Sequence, residues 1–279
     1  MKYLSYILLA VFVGFVLTAC DDEKQVDFEE ALVVDGAMYV GQRLEVRLTH
    51  TIPFDQAYYP DEVRVTGADV WVTVNGTTAY ALTEEVSGVP GTYALPDTVA
   101  VVTTGNRYDL LVVWEGDSSW AYTYATGPIE LTEAVLINVN NEITDTAPDT
   151  LEYGGDQLRL TWTTDPANFG YALQIEAMDE SKYGEDCDVG DDNGPGTYLF
   201  TWTTRFINSQ DLPWISLCYD GPTMIRVFTC DTAYWNFAST TLIGDPNNDP
   251  VSNVENGFGV FCAIDCDTFQ FMLTDTLED

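Results

Sequence analysis

The sequence predicts an all-β protein built from two antiparallel β-sandwich domains in series, with at most one short helix, in the second. Three observations predict it. Apolar residues recur at every second position through most of the chain, the pattern of half-buried strands. Glycine, proline, asparagine and aspartate interrupt these runs at short intervals, so the strands are short and linked by turns. Hydrophobic residues are 46% of the 279, which excludes a disordered chain and suffices for one large core or two ordinary ones.

The first element is a leader. Residues 1–19 hold one basic residue, Lys2, an apolar run from Tyr6 to Val16, and then Leu17, Thr18 and Ala19 before Cys20, which is signal-peptide anatomy. The run makes roughly 16 Å of helix, about half of a bilayer span. Ala19 directly before Cys20, with Leu17 three positions ahead of it, resembles the lipobox of bacterial lipoproteins. That resemblance implies cleavage between Ala19 and Cys20, diacylglycerol on the Cys20 thiol and a further chain such as palmitate on the α-amino group that cleavage frees. At roughly 0.8 kcal/mol per buried methylene, two or three chains hold a protein on a membrane almost permanently. Residues 20–27 follow as an acidic tether, with Asp21, Asp22 and Glu23 ahead of Lys24. In Bacteroidota-type lipoproteins such a stretch resembles the signal for the outer face of the outer membrane; in other bacteria an aspartate there implies retention at the inner membrane.

Residues 28–128 read as the first sandwich. Leu44, Val46 and Leu48 alternate with Arg43, Glu45, Arg47 and Thr49, and Val70, Val72 and Val74 alternate with Trp71 and Thr73. Asn75-Gly76 then supplies the positive φ angles of a tight hairpin. Tyr80 to Thr83, Tyr108 to Trp114 and Trp120 to Ala125 continue the strands. Residues 129–149, with Asn138, Asn140, Asn141, Thr144, Asp145 and Pro148, read as a connecting segment. Residues 150–279 form the second domain, with strands at Leu158 to Thr163, Tyr171 to Glu176, Tyr198 to Arg205, Met224 to Phe228 and Phe269 to Leu273. Asp231 caps the one predicted helix, Thr232 to about Ser239, with Tyr234 and Phe237 on a shared face.

Charge excludes several partners. The chain has 45 acidic and 10 basic residues, and removing residues 1–19 takes away only Lys2. Nucleic acid and anionic headgroups are repelled by such a surface. The scarcity of lysine with excess aspartate points to adaptation to high salt, where self-repulsion is screened.

After Cys20 the remaining cysteines, Cys187, Cys218, Cys230, Cys262 and Cys266, all fall in the second half. Export favours disulfides. Five thiols allow at most two, and the candidate pairings are Cys187 with Cys218 and Cys262 with Cys266. Zinc is the competing reading of Cys262 and Cys266, but no histidine or second close pair accompanies them. Asp186, Asp188, Asp191 and Asp192 lie in an oxygen-rich loop and are the candidate Ca²⁺ ligands. The loop departs from the helix-flanked calcium template at Gly190, at Asp191 and at Thr197. No other cofactor is predicted.

Catalytic signatures are absent from the sequence. His50, the single histidine, ends a strand and reads as a surface or strand-edge residue, and no nucleophile elbow, zinc helix or phosphate loop is present. A carboxylate pair for glycoside hydrolysis is not singled out among so many acids. Trp162 and Trp202 fall on regular strand faces and read as core; Trp120 and Trp214 lie beside turns and are the candidate ligand surface.

Several segments, in order, resemble an uncharacterised family of Bacteroidota lipoproteins whose members often accompany TonB-dependent outer-membrane receptors. They are Leu32-Val33-Val34-Asp35-Gly36, Thr49-His50-Thr51-Ile52-Pro53-Phe54, Gly67-Ala68-Asp69-Val70-Trp71-Val72, Ser87-Gly88-Val89-Pro90-Gly91-Thr92-Tyr93, Gly105-Asn106-Arg107-Tyr108-Asp109-Leu110, Ile225-Arg226-Val227, Asp231-Thr232-Ala233-Tyr234 and Ser252 through Phe261. The first set reads as an immunoglobulin-like or transthyretin-like sandwich, and Leu158 to Ile175 resembles a fibronectin-type strand pair. The resemblance implies a non-catalytic, outward-facing outer-membrane lipoprotein, held by the lipid on Cys20, that serves a TonB-dependent receptor in nutrient uptake. The alternatives are a surface carbohydrate-binding or adhesion module and, behind it, a glycoside hydrolase. The extra cysteines depart from the family pattern.

Overall fold

In a computed structural model, the described residues are 28–85, 88–96, 98–152, 155–178, 199–204, 207–212, 221–242 and 250–274. Among the described residues the fold is all-β with one helix, as predicted. Strands are numbered in chain order. The first unit is one eight-stranded sheet made of β1 (Leu32–Tyr39), β2 (Glu45–His50), β3 (Asp69–Val74), β4 (Thr78–Glu84), β5 (Thr92–Ala94), β6 (Arg107–Trp114), β7 (Asp117–Tyr124) and β16 (Phe258–Ile264), in the order β16-β1-β2-β5-β4-β3-β6-β7. It wraps around a single core that includes Val34, Leu44, Val46, Leu48, Val70, Val72, Leu110, Val112 and Phe261. Its two ends meet: the Trp120 N–H donates to the Glu255 carbonyl at 3.2 Å, and the Glu255 N–H donates back to the Trp120 carbonyl at 2.8 Å. Closure of this kind removes the exposed edges that invite foreign strands.

Alternation explains why these segments are strands. Val70 and Val72 are buried and Trp71 is exposed, as the period-two pattern requires. Asn75 and Gly76 take φ of 52° and 65° between β3 and β4, the predicted hairpin turn. Glu115 and Gly116 repeat that geometry between β6 and β7, at 52° and 94°.

The second unit is a two-sheet sandwich. One sheet orders β10 (Thr150–Glu152), β17 (Cys266–Thr274), β15 (Gly221–Cys230), β12 (Gly170–Ala177) and β13 (Leu199–Thr204); the other orders β14 (Ser209–Asp211), β11 (Gln157–Trp162), β8 (Leu131–Ile137) and β9 (Ile143–Thr146). Leu158, Leu160 and Trp162 from one sheet pack on Leu173, Ile175, Ile225, Val227 and Phe271 from the other. The core reading of Trp162 holds, since it is 1% exposed. Helix α1 (Thr232–Leu242) runs three residues past the predicted end, and the Tyr234 N–H donates to Asp231 Oδ1 at 2.7 Å, the expected cap.

The two units are drawn differently from the expected boundaries. Residues 129–149 are no bare connector, because they contribute β8 and β9 to the second sandwich. Near its C-terminal end the chain returns to the first unit, where β16 pairs in parallel with β1 from Val33↔Phe258 to Tyr39↔Ile264. β16 is apolar on both faces: Phe261 and Ala263 enter the first core, while Val260, Cys262 and Ile264 join Phe228, Cys230, Ala172 and the helix in a third cluster between the units. A strand buried on both sides has no polar phase, which is why alternation did not reveal it. Side chains latch the same junction. Thr126 Oγ1 lies 2.5 Å from Thr229 Oγ1, and the Asp265 and Asp267 carboxylates accept the Ile129 and Leu131 N–H groups at 2.9 and 2.7 Å.

Candidate binding face and groove

The outer face of β3, β6 and β7 is unusual in its residue types. Strand register places Trp71 opposite Leu111 and Leu111 opposite Trp120, so three large apolar side chains form one row across three strands. They are exposed by 43%, 41% and 47% respectively. Along β7 the same face continues with Tyr122 and Tyr124, because alternate residues share a side. A monomer scatters exposed apolar residues singly; a contiguous set of five on a rigid sheet marks a contact surface.

Arg107 orders the lower end of this face. Its guanidinium donates to Asp109 Oδ1 at 2.9 and 2.6 Å and lies 4.7 Å from the centre of the Tyr122 ring and 5.9 Å from that of Tyr124. The two tyrosine rings are 6.3 Å apart at 87°, an edge-to-face pair. Ring and charge hold each other, so less side-chain freedom remains to be lost on binding.

Beside the tyrosines a groove of about 1010 Å³ opens between β7, the 166–169 loop, the start of α1 and Asn253 to Glu255. Asp231 lies in its wall and joins the units, accepting from Thr123 Oγ1 of β7 as well as capping α1. Burial pushes its carboxyl above the usual 3.8, against the lowering effect of those hydrogen bonds. Asn168 Oδ1 accepts the Gly127 N–H at 2.7 Å, which orients the amide. Its Nδ2 is buried and has no hydrogen-bond partner among the described residues.

Of the residues singled out in the sequence, Trp120 ends the exposed row on β7, where it joins Tyr122 and Tyr124. Trp71 and Leu111 were missed; the signal was present, since each occupies the solvent-facing phase of an alternating strand. Cys262 and Cys266 carry free thiols, one on each side of Asp265, and Cys230 is a third. Burial pushes the Cys230 and Cys262 thiols up, and Cys266 is pushed up to about 11, chiefly by desolvation. His50 ends β2 as predicted; its ring stacks on Trp114 at 5.9 Å and Nδ1 lies 2.9 Å from Glu30 Oε1. Ala19, Cys20, Asp186, Cys187, Asp188, Asp191, Asp192, Trp214 and Cys218 lie outside the described residues, as does the side chain of Trp202. Among the described residues no cluster of three or more His, Cys, Asp or Glu could hold a metal ion, and no helix is long and apolar enough to cross a membrane.

No curated protein matches the chain. Three solved structures resemble it at low similarity. They are the FN1–FN3 domains of chicken CNTN1 (12% identity, 71% of this chain and 60% of that one, TM-score 0.24), a DUF4785 family protein of Legionella pneumophila (13%, 70% and 50%, 0.21), and a Ca²⁺-stabilised adhesin with which an Antarctic bacterium binds ice (13%, 88% and 49%, 0.20). The chain thus spans half to 60% of the length of these structures, and scores so low carry no argument about ligand or partner. One family model matches residues 20–270, and by that match the chain belongs to the family described as Domain of unknown function (DUF4249).

Proposed function

We propose that this protein is a lipid-anchored component of the bacterial outer membrane, facing outward on its acidic tether, that serves a TonB-dependent receptor as a non-catalytic accessory in nutrient uptake. The observation that carries the reading is the exposed Trp71–Leu111–Trp120 row on the outer face of the first sheet. Such a row on hydrogen-bonded strands is pre-organised and needs little ordering to bind a protein surface. The leader through Cys20 and the family-like order of segments support the place and the neighbourhood. Acidic charge all round turns the protein away from anionic surfaces, which leaves the aromatic row as the adhesive part.

The test is a mild-detergent pull-down of the tagged, lipidated protein from its native outer membrane, with co-purifying proteins identified by mass spectrometry. Stoichiometric recovery of a TonB-dependent receptor is expected, and its loss with Leu111→Glu, a change at an exposed position that leaves the core intact. Recovery of the lipoprotein alone would sink the accessory reading.

A further inference from the structure

We propose that the groove beside Tyr122 and Tyr124 is a binding site for a neutral oligosaccharide. The inference stands on the groove's own chemistry and holds whether or not the neighbouring aromatic row docks a receptor. A sugar ring has an apolar C–H face and a rim of hydroxyls that donate and accept. A site for it needs aromatic surface, fixed amide or carboxylate groups around that surface, and little net attraction for ions.

Each requirement is met by a different part of the wall. Tyr122 and Tyr124 are 57% and 53% exposed, and their perpendicular rings offer two stacking directions. Arg107 holds Tyr122 in place from one side. The Asn168 amide cannot be turned over, because the Gly127 N–H can only donate and therefore requires Oδ1 on its side. Asn168, so held, lines the groove with its Nδ2 buried. Asn236 on α1 and Glu255 beside Trp120 are exposed and supply acceptors.

Charge selects among ligands. Asp231 and Glu255 line the groove, the Arg107 guanidinium against the tyrosines is already paired with Asp109, and the chain carries −35 overall, so acidic glycans and phosphates are repelled. The start of α1 offers an anion nothing either, since Asp231 already caps it. Nor does Asp231 recruit cations, because both its oxygens are engaged, by Thr123 and by the Tyr234 N–H, and burial disfavours its ionised form. An uncharged polyhydroxyl compound is the ligand class that fits the exposed tyrosines and acceptors of this wall.

The experiment uses the full mature lipoprotein in detergent, with an array of neutral gluco-, manno-, galacto- and xylo-hexasaccharides beside acidic oligogalacturonides, followed by calorimetry on any hit. At least one neutral series is expected to bind, with a loss of roughly tenfold or more in Tyr122→Ala and in Tyr124→Ala. Both residues are exposed, so unchanged melting temperatures will separate lost contact from lost fold. Trp71→Ala, outside the groove lining, is expected to leave binding unchanged. Binding of none of the neutral series, binding of the acidic oligomers only, or neutral binding that persists in both tyrosine variants would overturn the proposal. The receptor pull-down is read with Leu111→Glu and the glycan array with Tyr122→Ala and Tyr124→Ala, so either proposal can fail alone.

Discussion

Asp231 is the residue on which most connections converge. It caps α1, accepts from Thr123 across the junction and lines the groove. Its folded-state pKa is raised above 3.8 by burial. A raised carboxyl binds a proton more readily in the folded state than in the unfolded chain, so its contribution favours folding most below the unfolded pKa. That contribution declines as pH climbs through the folded value and stays low above it. Asn keeps one capping oxygen and carries no charge. Asp231→Asn is therefore expected to gain stability relative to the wild type as pH rises above 3.8, visible as a melting-temperature difference that grows with pH and then levels off. A difference that is constant with pH would show that the folded carboxyl is not penalised by burial. The cap was legible in the sequence, since aspartate ahead of Thr232 is a start signal. Its bond to Thr123 was not, because the two residues are 108 positions apart and nothing local links them.

Among the elements, β16 shows what pattern reading misses. Phe258–Ile264 is nearly continuous in apolar residues because one side faces the first core and the other the cluster between the units. β9 was missed for the opposite reason: all four of its residues are exposed, so at the edge of its sheet it reads as a loop. β3, β6 and β11 each have one face against a core, and there alternation was enough. The aromatic row is an intermediate case. Trp71 and Leu111 stand out of phase in their own strands, yet only the register that sets them beside Trp120 makes a surface of them. β16 also contains the tightest backbone approach. Gly259 has φ of +99°, and a Cβ there would fall 2.0 Å from the Val34 carbonyl oxygen of β1. Gly259→Ala must shift that parallel pair, at a cost of about 3 kcal/mol or more. A fall in melting temperature of about 5–10 °C is expected; an unchanged value would mean that β1 and β16 are not in this register.

For the whole molecule, the return of β16 to the first sheet joins what looked like two domains in series. Each unit supplies part of the third cluster, in which Val260, Cys262 and Ile264 meet Phe228, Cys230 and Ala172. Calorimetry is expected to show one cooperative transition. Removal of residues 250–279 is expected to unfold the first unit as well as the second, read as loss of protection of β1 and β2 amides from hydrogen exchange. Two resolved transitions, or a first unit that keeps its protection, would count against the shared strand. Alternation and turn residues placed the chain among all-β proteins, but they could not show this linkage, because local periodicity does not report which distant strands pair. The parallel pairing of β1 with β16 also has a mechanical consequence. A pull arriving through the residues ahead of Leu32 acts along β1, whose neighbours β2 and β16 grip it on both edges. Hydrogen bonds loaded in that direction are sheared together and do not unzip one after another, so the barrier to forced unfolding is high. A protein tethered by its N-terminal end in moving fluid would thus meet drag at the part of its fold best built to resist it.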